Sequence, residues 1–248
     1  MPLDRHSVVT ESEWLEARKA HLAKEKELTR LRDELLRERR ALPWTKVEKP
    51  YEFEGPSGVV TLAELFDGRS QLIVYHFMFG PGWAEGCPGC SFISDHFDGP
   101  NLHLKHHDVT LVAVSRAPFR EFQAFKKRMG WKFPWVSSFG SDFNFDFHVS
   151  FTPEEVASGR VAYNYSSDFP AHDELHGTSV FYRNEQGEVF HTYSSYGRGS
   201  DILLGAHNLL DLTPKGRNER ETMDWMRHHD RYDEVKRDAS CCCATDTK

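Results

Sequence analysis

Residues 71–98 read QLIVYHFMFGPGWAEGCPGCSFISDHFD. The apolar run at 72–79 predicts a buried strand. A turn rich in Gly and Pro follows at 80–86, then Cys87-Pro88-Gly89-Cys90, then a helix from Ser91. Strand, loop, CxxC and helix in that order form the setting in which a thiol pair does redox chemistry. Two cysteines this close form a disulfide when the backbone turns to suit it. A helix beginning near Cys87 brings its amides and dipole toward that sulfur and favours the thiolate. A lowered thiol pKa gives a larger thiolate fraction and a better leaving group.

Other readings of the motif stay open. One CxxC is also half of a zinc site, and His96, His103, His106 and His107 follow closely enough to complete it. The pair is also readable as two ordinary cysteines near a packed surface.

The 248 residues suffice for one large domain with extensions or two small ones. A hydrophobic content of 39% supports a core with a polar periphery. The net charge of −7 lacks a polyanion-binding footprint, so no nucleic-acid partner is expected. No apolar run reaches membrane-spanning length, so no membrane partner is expected. The first residues lack the basic start and apolar stretch of a secretory signal, and a cytoplasmic location is the expectation. The other three cysteines, Cys241, Cys242 and Cys243, follow a charged stretch and read as part of an exposed tail.

Working outward, residues 1–50 read as a helical arm. Thr10 and Glu13 have capping-box spacing, and the helix runs from about 11 to 42, before Pro43. Trp14, Leu15, Leu22, Leu28, Leu31, Leu35 and Leu36 form a partial apolar stripe, suited to packing on the body or on a second copy. The cluster Arg37, Arg39, Arg40 reads as a solvated helix end. A short edge strand is expected at 51–53.

On the other side of the motif, 108–115 reads as a second buried strand, and Pro118 suits the first turn of a helix that Gly130 ends. A third strand follows near Phe133. This order predicts βαβ units and a parallel core. Residues 141–148 alternate with period two, a strand pattern that also suits a short helix or a site loop; with alternation Asp142, Asn144, Asp146 and His148 share a face that suits an oxygen-rich metal site, and packing aromatics alternating with solvated residues explain the pattern equally well. Residues 151–176 read as an insertion shaping a rim, with His172 and His176 four apart, a metal-ligand spacing on a helix that Pro170 and Gly177 disfavour. Residues 177–183 and 188–193 form an antiparallel hairpin around Gly187. Residues 201–212 read as a helix. From 213 to 248 the chain is a charged extension, and Arg227, His228, His229, Asp230 and Arg231 show no catalytic spacing.

Over residues 51–212 this element order resembles the thioredoxin-like fold. The segments YHFMFGPGWAEGCPGCSF, VAVSRAPF, MGWKFPWVSSFGSDFNFDF, GTSVFYR, HTYSSYGRGSD and LLDLTPKGR resemble, more specifically, the bacterial DUF899 family. The resemblance implies an α/β fold: a thioredoxin-like mixed central sheet flanked by helices, with a long N-terminal helix and an insertion before the terminal hairpin. It aligns Cys87 with the attacking thiol and Cys90 with the resolving thiol. There are departures. Gly86 stands where thioredoxins have Trp, Thr178 stands at the position of their cis-proline, the Pro88-Gly89 order is reversed, and the central strand holds no acid.

The expected activity is that of a thiol–disulfide oxidoreductase or a thiol peroxidase-like enzyme. Its partners would be a disulfide or peroxide substrate and a cellular reductant, with homo-oligomers forming through the N-terminal helix. His76, Trp83, Arg116 and Thr178 are candidates for the substrate pocket. No cofactor and no metal ion is assigned. Two alternatives compete: a non-enzymatic metal or small-ligand binder using Cys87 and Cys90 with His96 or His76, and an assembly protein built on the N-terminal helix.

Overall fold

The computed structural model describes residues 6–232. The Cys241, Cys242 and Cys243 triplet lies outside them. Helix α1, Glu11–Arg40, opens on the expected capping box: Thr10 Oγ1 accepts from the Glu13 amide, and the Glu13 carboxylate accepts from the Thr10 amide at 2.9 Å. It ends two residues earlier than the sequence suggests, and none of its residues is buried.

Strand β1 (Thr45–Lys46) was not expected from the sequence, whereas the β2–β3 hairpin (Glu52–Gly55 and Gly58–Thr61) includes the expected edge strand. Strand β4, Gln71–His76, is followed by the CxxC loop and helix α2, Pro88–Ser94, then α3, Asp98–His106. Strand β5 (Val109–Ser115), helix α4 (Phe119–Arg128) and strand β6 (Trp135–Ser137) follow in the expected order.

Residues 141–148, despite their period of two, contain the short helix α5, Phe143–Asp146. Phe143 and Phe147, four apart, share one helical face and pack on Tyr51 with ring centroids 5.0 and 6.3 Å away. The insertion holds helix α6 (Pro153–Ala157) and a separate hairpin of β7 (Arg160–Tyr163) and β8 (Ser166–Pro170). The terminal hairpin is β9 (Gly177–Arg183) and β10 (Val189–Tyr196). The helix expected over 201–212 is instead a 3-10 stretch, Gly197–Leu203, followed by α7, Gly205–Leu210.

The main sheet runs β1-β10-β9-β4-β5-β6-β2-β3. β4, β5 and β6 are mutually parallel, and β9 lies antiparallel against β4. A parallel core continued by an antiparallel hairpin, with the CxxC after the central strand, is the thioredoxin-like arrangement. Both faces of β4 and β5 are covered, so both strands read as continuous apolar runs. Tyr75, Leu111 and Ala113 face the side occupied by α2 and α4, where Phe77, Phe92, Phe122, Phe125 and Trp135 complete one core. Leu72, Val74, Val112 and Val114 face the other side, with Phe53, Phe143 and Phe181. Among the described residues, no helix is long and apolar enough to cross a membrane.

Candidate active site

Cys87 is the N-cap of α2 and Pro88 its first residue. Proline suits this position because its missing N–H would have had no helical partner. The next two amides, of Gly89 and Cys90, face the Cys87 sulfur. The Cys87 backbone is tied on both sides: its amide donates to Met78 O at 3.2 Å, and the Ser91 amide donates to Cys87 O at 2.9 Å. Cys87 is partly exposed, Cys90 is 2% exposed, and neither is in a disulfide.

The two thiols differ sharply. A hydrogen bond from Cys90, helped by the Cys90 and Gly89 amides, lowers the Cys87 thiol to about 6 against the pull of burial. Burial pushes the Cys90 thiol well above its ordinary value, and the neighbouring Cys87 sulfur adds to the shift. The shared proton therefore rests on Cys90. The Met78 amide donates to Cys90 Sγ at 3.4 Å. The buried Tyr75 hydroxyl has no oxygen or nitrogen partner and lies beside the same pair. Burial, then the proximity of Cys90, raises its pKa. Tyr75 thus stands beside the thiol pair on a central strand that holds no acid, and nothing in an apolar run marked it as a site residue.

Gly86 has a steric reason. A Cβ there would lie 2.5 Å from Phe77 Cε1 and 2.9 Å from Phe125 Cε1. The buried Phe77 and Phe125 rings fill the space beside Gly86, leaving no room there for a side chain.

The C-terminal segment folds back over the motif. His228, 4% exposed, donates from Nε2 to the Gly86 carbonyl at 2.9 Å, while its Nδ1 accepts from Arg128 at 3.0 Å. Arg128 also binds Asp230 at 2.9 Å, and His229 binds Asp95 at 2.7 Å. Glu85 bridges Arg128 and Arg231. Burial alone would raise the Glu85 carboxyl, but the two guanidiniums hold it below its ordinary value. Met226 joins the core beside α2, and a Cβ at Gly89 would touch both Met223 Cε, at 3.5 Å, and Cys87 Sγ, at 3.7 Å. Between this segment and the motif lies a cavity of about 340 Å³, lined by Trp83, Cys87 and Pro88 on one side and by Arg227, His228 and Arg231 on the other. The sequence marked this segment only faintly, by Met223, Trp225 and Met226 among charges.

The sequence-derived pocket candidates are dispersed. Trp83 lines the Cys87 cavity. Arg116 pairs with buried Glu174, whose other oxygen accepts from Ser150 at 2.7 Å. Burial raises the Glu174 carboxyl against the opposing pull of Arg116. Glu174 and Trp83 both press on Gly80, so the ion pair braces the loop behind the cavity. Thr178 pairs in register with Tyr75. His76 lies on the opposite face of the sheet, stacked on Phe143 and bonded to Ser179 at 2.8 Å, and burial lowers its pKa to about 3.

The ligand sets considered from sequence do not converge. His96 bonds Phe92 O through Nδ1 and accepts from the Ala206 amide through Nε2. Asp142 and Asp146 both bind Lys49, while Asn144 accepts from Ser138. His176 bonds Gly197 O, and no helix joins it to His172. Among the described residues, no group of three or more His, Cys, Asp or Glu side chains is arranged to hold a metal.

Residues 3–232 match the family described as "Bacterial protein of unknown function (DUF899)", and the chain belongs to that family. Similar solved structures include a Cys-to-Ser mutant of PrxQ from Xylella fastidiosa, with 12% identity over 64% of this chain and 88% of the other and a TM-score of 0.41. Peroxidoxin BcpB from Mycobacterium tuberculosis gives 16% identity, 66% and 94% coverage and 0.40. A protein assigned as the thiol:disulfide interchange protein DsbE of Chlorobium tepidum gives 13%, 65% and 93%, and 0.41. No curated protein matches the chain significantly. The fold assignment rests on strand order and pairing, and no residue role is taken from these neighbours.

Proposed function

We propose that this DUF899 protein reduces small hydroperoxides or low-molecular-weight disulfides through a Cys87–Cys90 dithiol. The observation that carries the reading is the division between the two thiols: Cys87 is accessible and held near 6, and Cys90 is buried and raised. At neutral pH this makes Cys87 the thiolate and Cys90 the reserve of one proton. With a hydroperoxide, the Cys87 thiolate attacks the terminal oxygen and the O–O bond breaks. The alkoxide leaves with a proton, and Cys87 becomes a sulfenic acid. Cys90 then attacks Cys87 Sγ and water leaves. With a disulfide, Cys87 forms a mixed disulfide and one thiolate leaves; attack by Cys90 releases the second. Either route passes two electrons to the substrate and leaves the Cys87–Cys90 disulfide, which a cytoplasmic thiol reductant returns to the dithiol.

The segment at 227–231 lying against the motif favours small substrates over protein disulfides. Trp83 lines the cavity beside the reacting sulfur, and Arg227 supplies positive charge where an alkoxide or thiolate leaves, next to Arg231 in its pair with Glu85. Tyr75 and the Met78 amide orient Cys90, and the Arg116–Glu174 pair fixes the Gly80 loop.

The test is turnover of hydrogen peroxide, cumene hydroperoxide and a small aromatic disulfide with a dithiol reductant. Cys87→Ser should fall to the uncatalysed rate. Cys90→Ser should stop after one event with a sulfenic acid or mixed disulfide on Cys87, identified by mass. Wild-type turnover in Cys87→Ser would end the proposal.

A separate observation favours assembly through α1. Trp14, Leu15, Leu22, Leu28, Leu31 and Leu35 are all exposed on a helix with no buried residue. We propose that two copies pair along this stripe. Leu28→Glu with Leu35→Glu should halve the solution mass, and an unchanged mass would remove the idea.

A further inference from the structure

A second cavity, of about 600 Å³, opens on the same face of the sheet as α2 but is not lined by either motif cysteine. Its lining includes Ile73, which packs against the core containing Cys90. Most of the lining is apolar: Ile73 and Val180 come from the strands, and Trp44 and Ile202, each about half exposed, come from flanking segments. Large apolar side chains left half in water around one concavity mark a binding groove.

Two polar features give the groove a direction. The last turn of α1 brings Arg39 and Arg40 to it. The Arg39 guanidinium lies over the Tyr193 ring, 4.6 Å from its centroid, and among the described residues neither arginine is paired with a carboxylate. The second feature is Thr178. It lines the groove, is 7% exposed, and its Oγ1 has no hydrogen-bond partner. A buried hydroxyl without a partner is costly, and a ligand oxygen would relieve it once rotation about χ1 turns the Thr178 hydroxyl toward the groove. The register sets the spacing between the two. Tyr193 faces Val180 and Ser195 faces Thr178, so the residue beneath the Arg39 guanidinium and the residue beside the hydroxyl are two positions apart on their strand.

We propose that this groove binds an amphipathic organic carboxylate that carries a second oxygen on its apolar body. The carboxylate meets Arg39 and Arg40, where guanidinium geometry suits it. The chain lies over Ile73 and Val180, and the second oxygen meets Thr178. The Thr178 end adjoins Tyr75, its partner in register, so ligand binding and the redox pair share one rung of the sheet.

The probes are 8-hydroxyoctanoate, octanoate and 1,8-octanediol, titrated calorimetrically into the full chain, with solution mass recorded on the same samples. 8-Hydroxyoctanoate should bind at one site per chain, and 1,8-octanediol about tenfold more weakly for want of the charge. The Arg39→Gln, Arg40→Gln double variant should lose the same factor for the hydroxy acid but not for the diol. Thr178→Val should bring 8-hydroxyoctanoate down to the level of octanoate while leaving octanoate unchanged. Cys87→Ser should bind like the wild type, which separates failure here from failure of the redox reading. The proposal is overturned by absence of saturable binding, by equal binding of acid and diol, or by a stable dimer that none of the probes enters, the last meaning that a second copy fills the groove.

Discussion

Cys90→Ala tests what holds the Cys87 thiolate. The Cys90 thiol is the largest of the influences lowering Cys87 to about 6, ahead of the Cys90 and Gly89 amides, which the substitution leaves in place. A hydrogen bond to a charged group contributes about 1.5–3 kcal/mol, and one pKa unit corresponds to about 1.4 kcal/mol. Removing it should raise Cys87 by about one to two units, to between about 7 and 8. The assay is the rate of iodoacetamide alkylation across pH, with Cys241, Cys242 and Cys243 changed to Ser in every protein so that the tail does not contribute. Cys90→Ser keeps a hydroxyl donor, so its midpoint should stay closer to the parent. The reasoning fails if the Cys90→Ala midpoint stays within about half a unit of the parent. The amides alone would then be sufficient, and the sulfur pair would not share a proton as described.

Three other outcomes follow from the same geometry. Arg231→Gln removes one of two cations on Glu85; because these side chains are about a third exposed, the loss is about 1 kcal/mol. It should speed alkylation of Cys87 by a bulky maleimide about fivefold and leave iodoacetamide nearly unaffected; unchanged maleimide rates would mean that the segment is not a cover. Gly86→Ala should cost about 1–3 kcal/mol in urea unfolding, because its Cβ would meet Phe77 and Phe125; a stability equal to wild type would show that the rings yield freely. In the reduced protein, Cys87 titrates near 6 when folded and near its ordinary 9.0 when unfolded, so the unfolded chain holds more protons between those values. That stability is complete above about 9 and is lost as pH falls through about 6. Stability should therefore rise with pH across this window more in the wild type than in Cys87→Ser, and parallel curves would contradict a lowered Cys87.

The parts of this molecule that the sequence reveals are those whose partners are close along the chain or whose burial is periodic. The α1 start is set by Thr10 and Glu13, three residues apart. The strands around Val74 and Val112 are apolar on both faces because helices or loops cover both. The helix expected from Ser91 is present but begins three residues earlier, at Pro88, because proline suits a first helical turn. Period fails at 141–148, where Phe143 and Phe147 satisfy a helix while Phe145 lies under Arg116, 5.7 Å from its guanidinium carbon. Three phenylalanines at alternate positions look like a strand even though their surroundings are two different surfaces.

The cover over Cys87 is the larger omission, and its physics explains why. Residues 228–231 are held by Gly86, Asp95, Arg128 and Glu85, which lie between 100 and 146 residues away in the chain. Charged and carbonyl partners leave no hydrophobic period to read, and each ion pair alone is common surface chemistry. What makes these contacts informative is that all four consecutive residues are tied to the body of the domain, and His228 and Arg231 among them line the cavity at Cys87. The same closure accounts for a departure that the sequence could only record. Thioredoxins have Trp before the first cysteine. Here Gly86 lets the Phe77 and Phe125 rings fill that space and offers its carbonyl to His228. The segment at 227–231 thus lines one side of the cavity beside Cys87, and Trp83 lines the other.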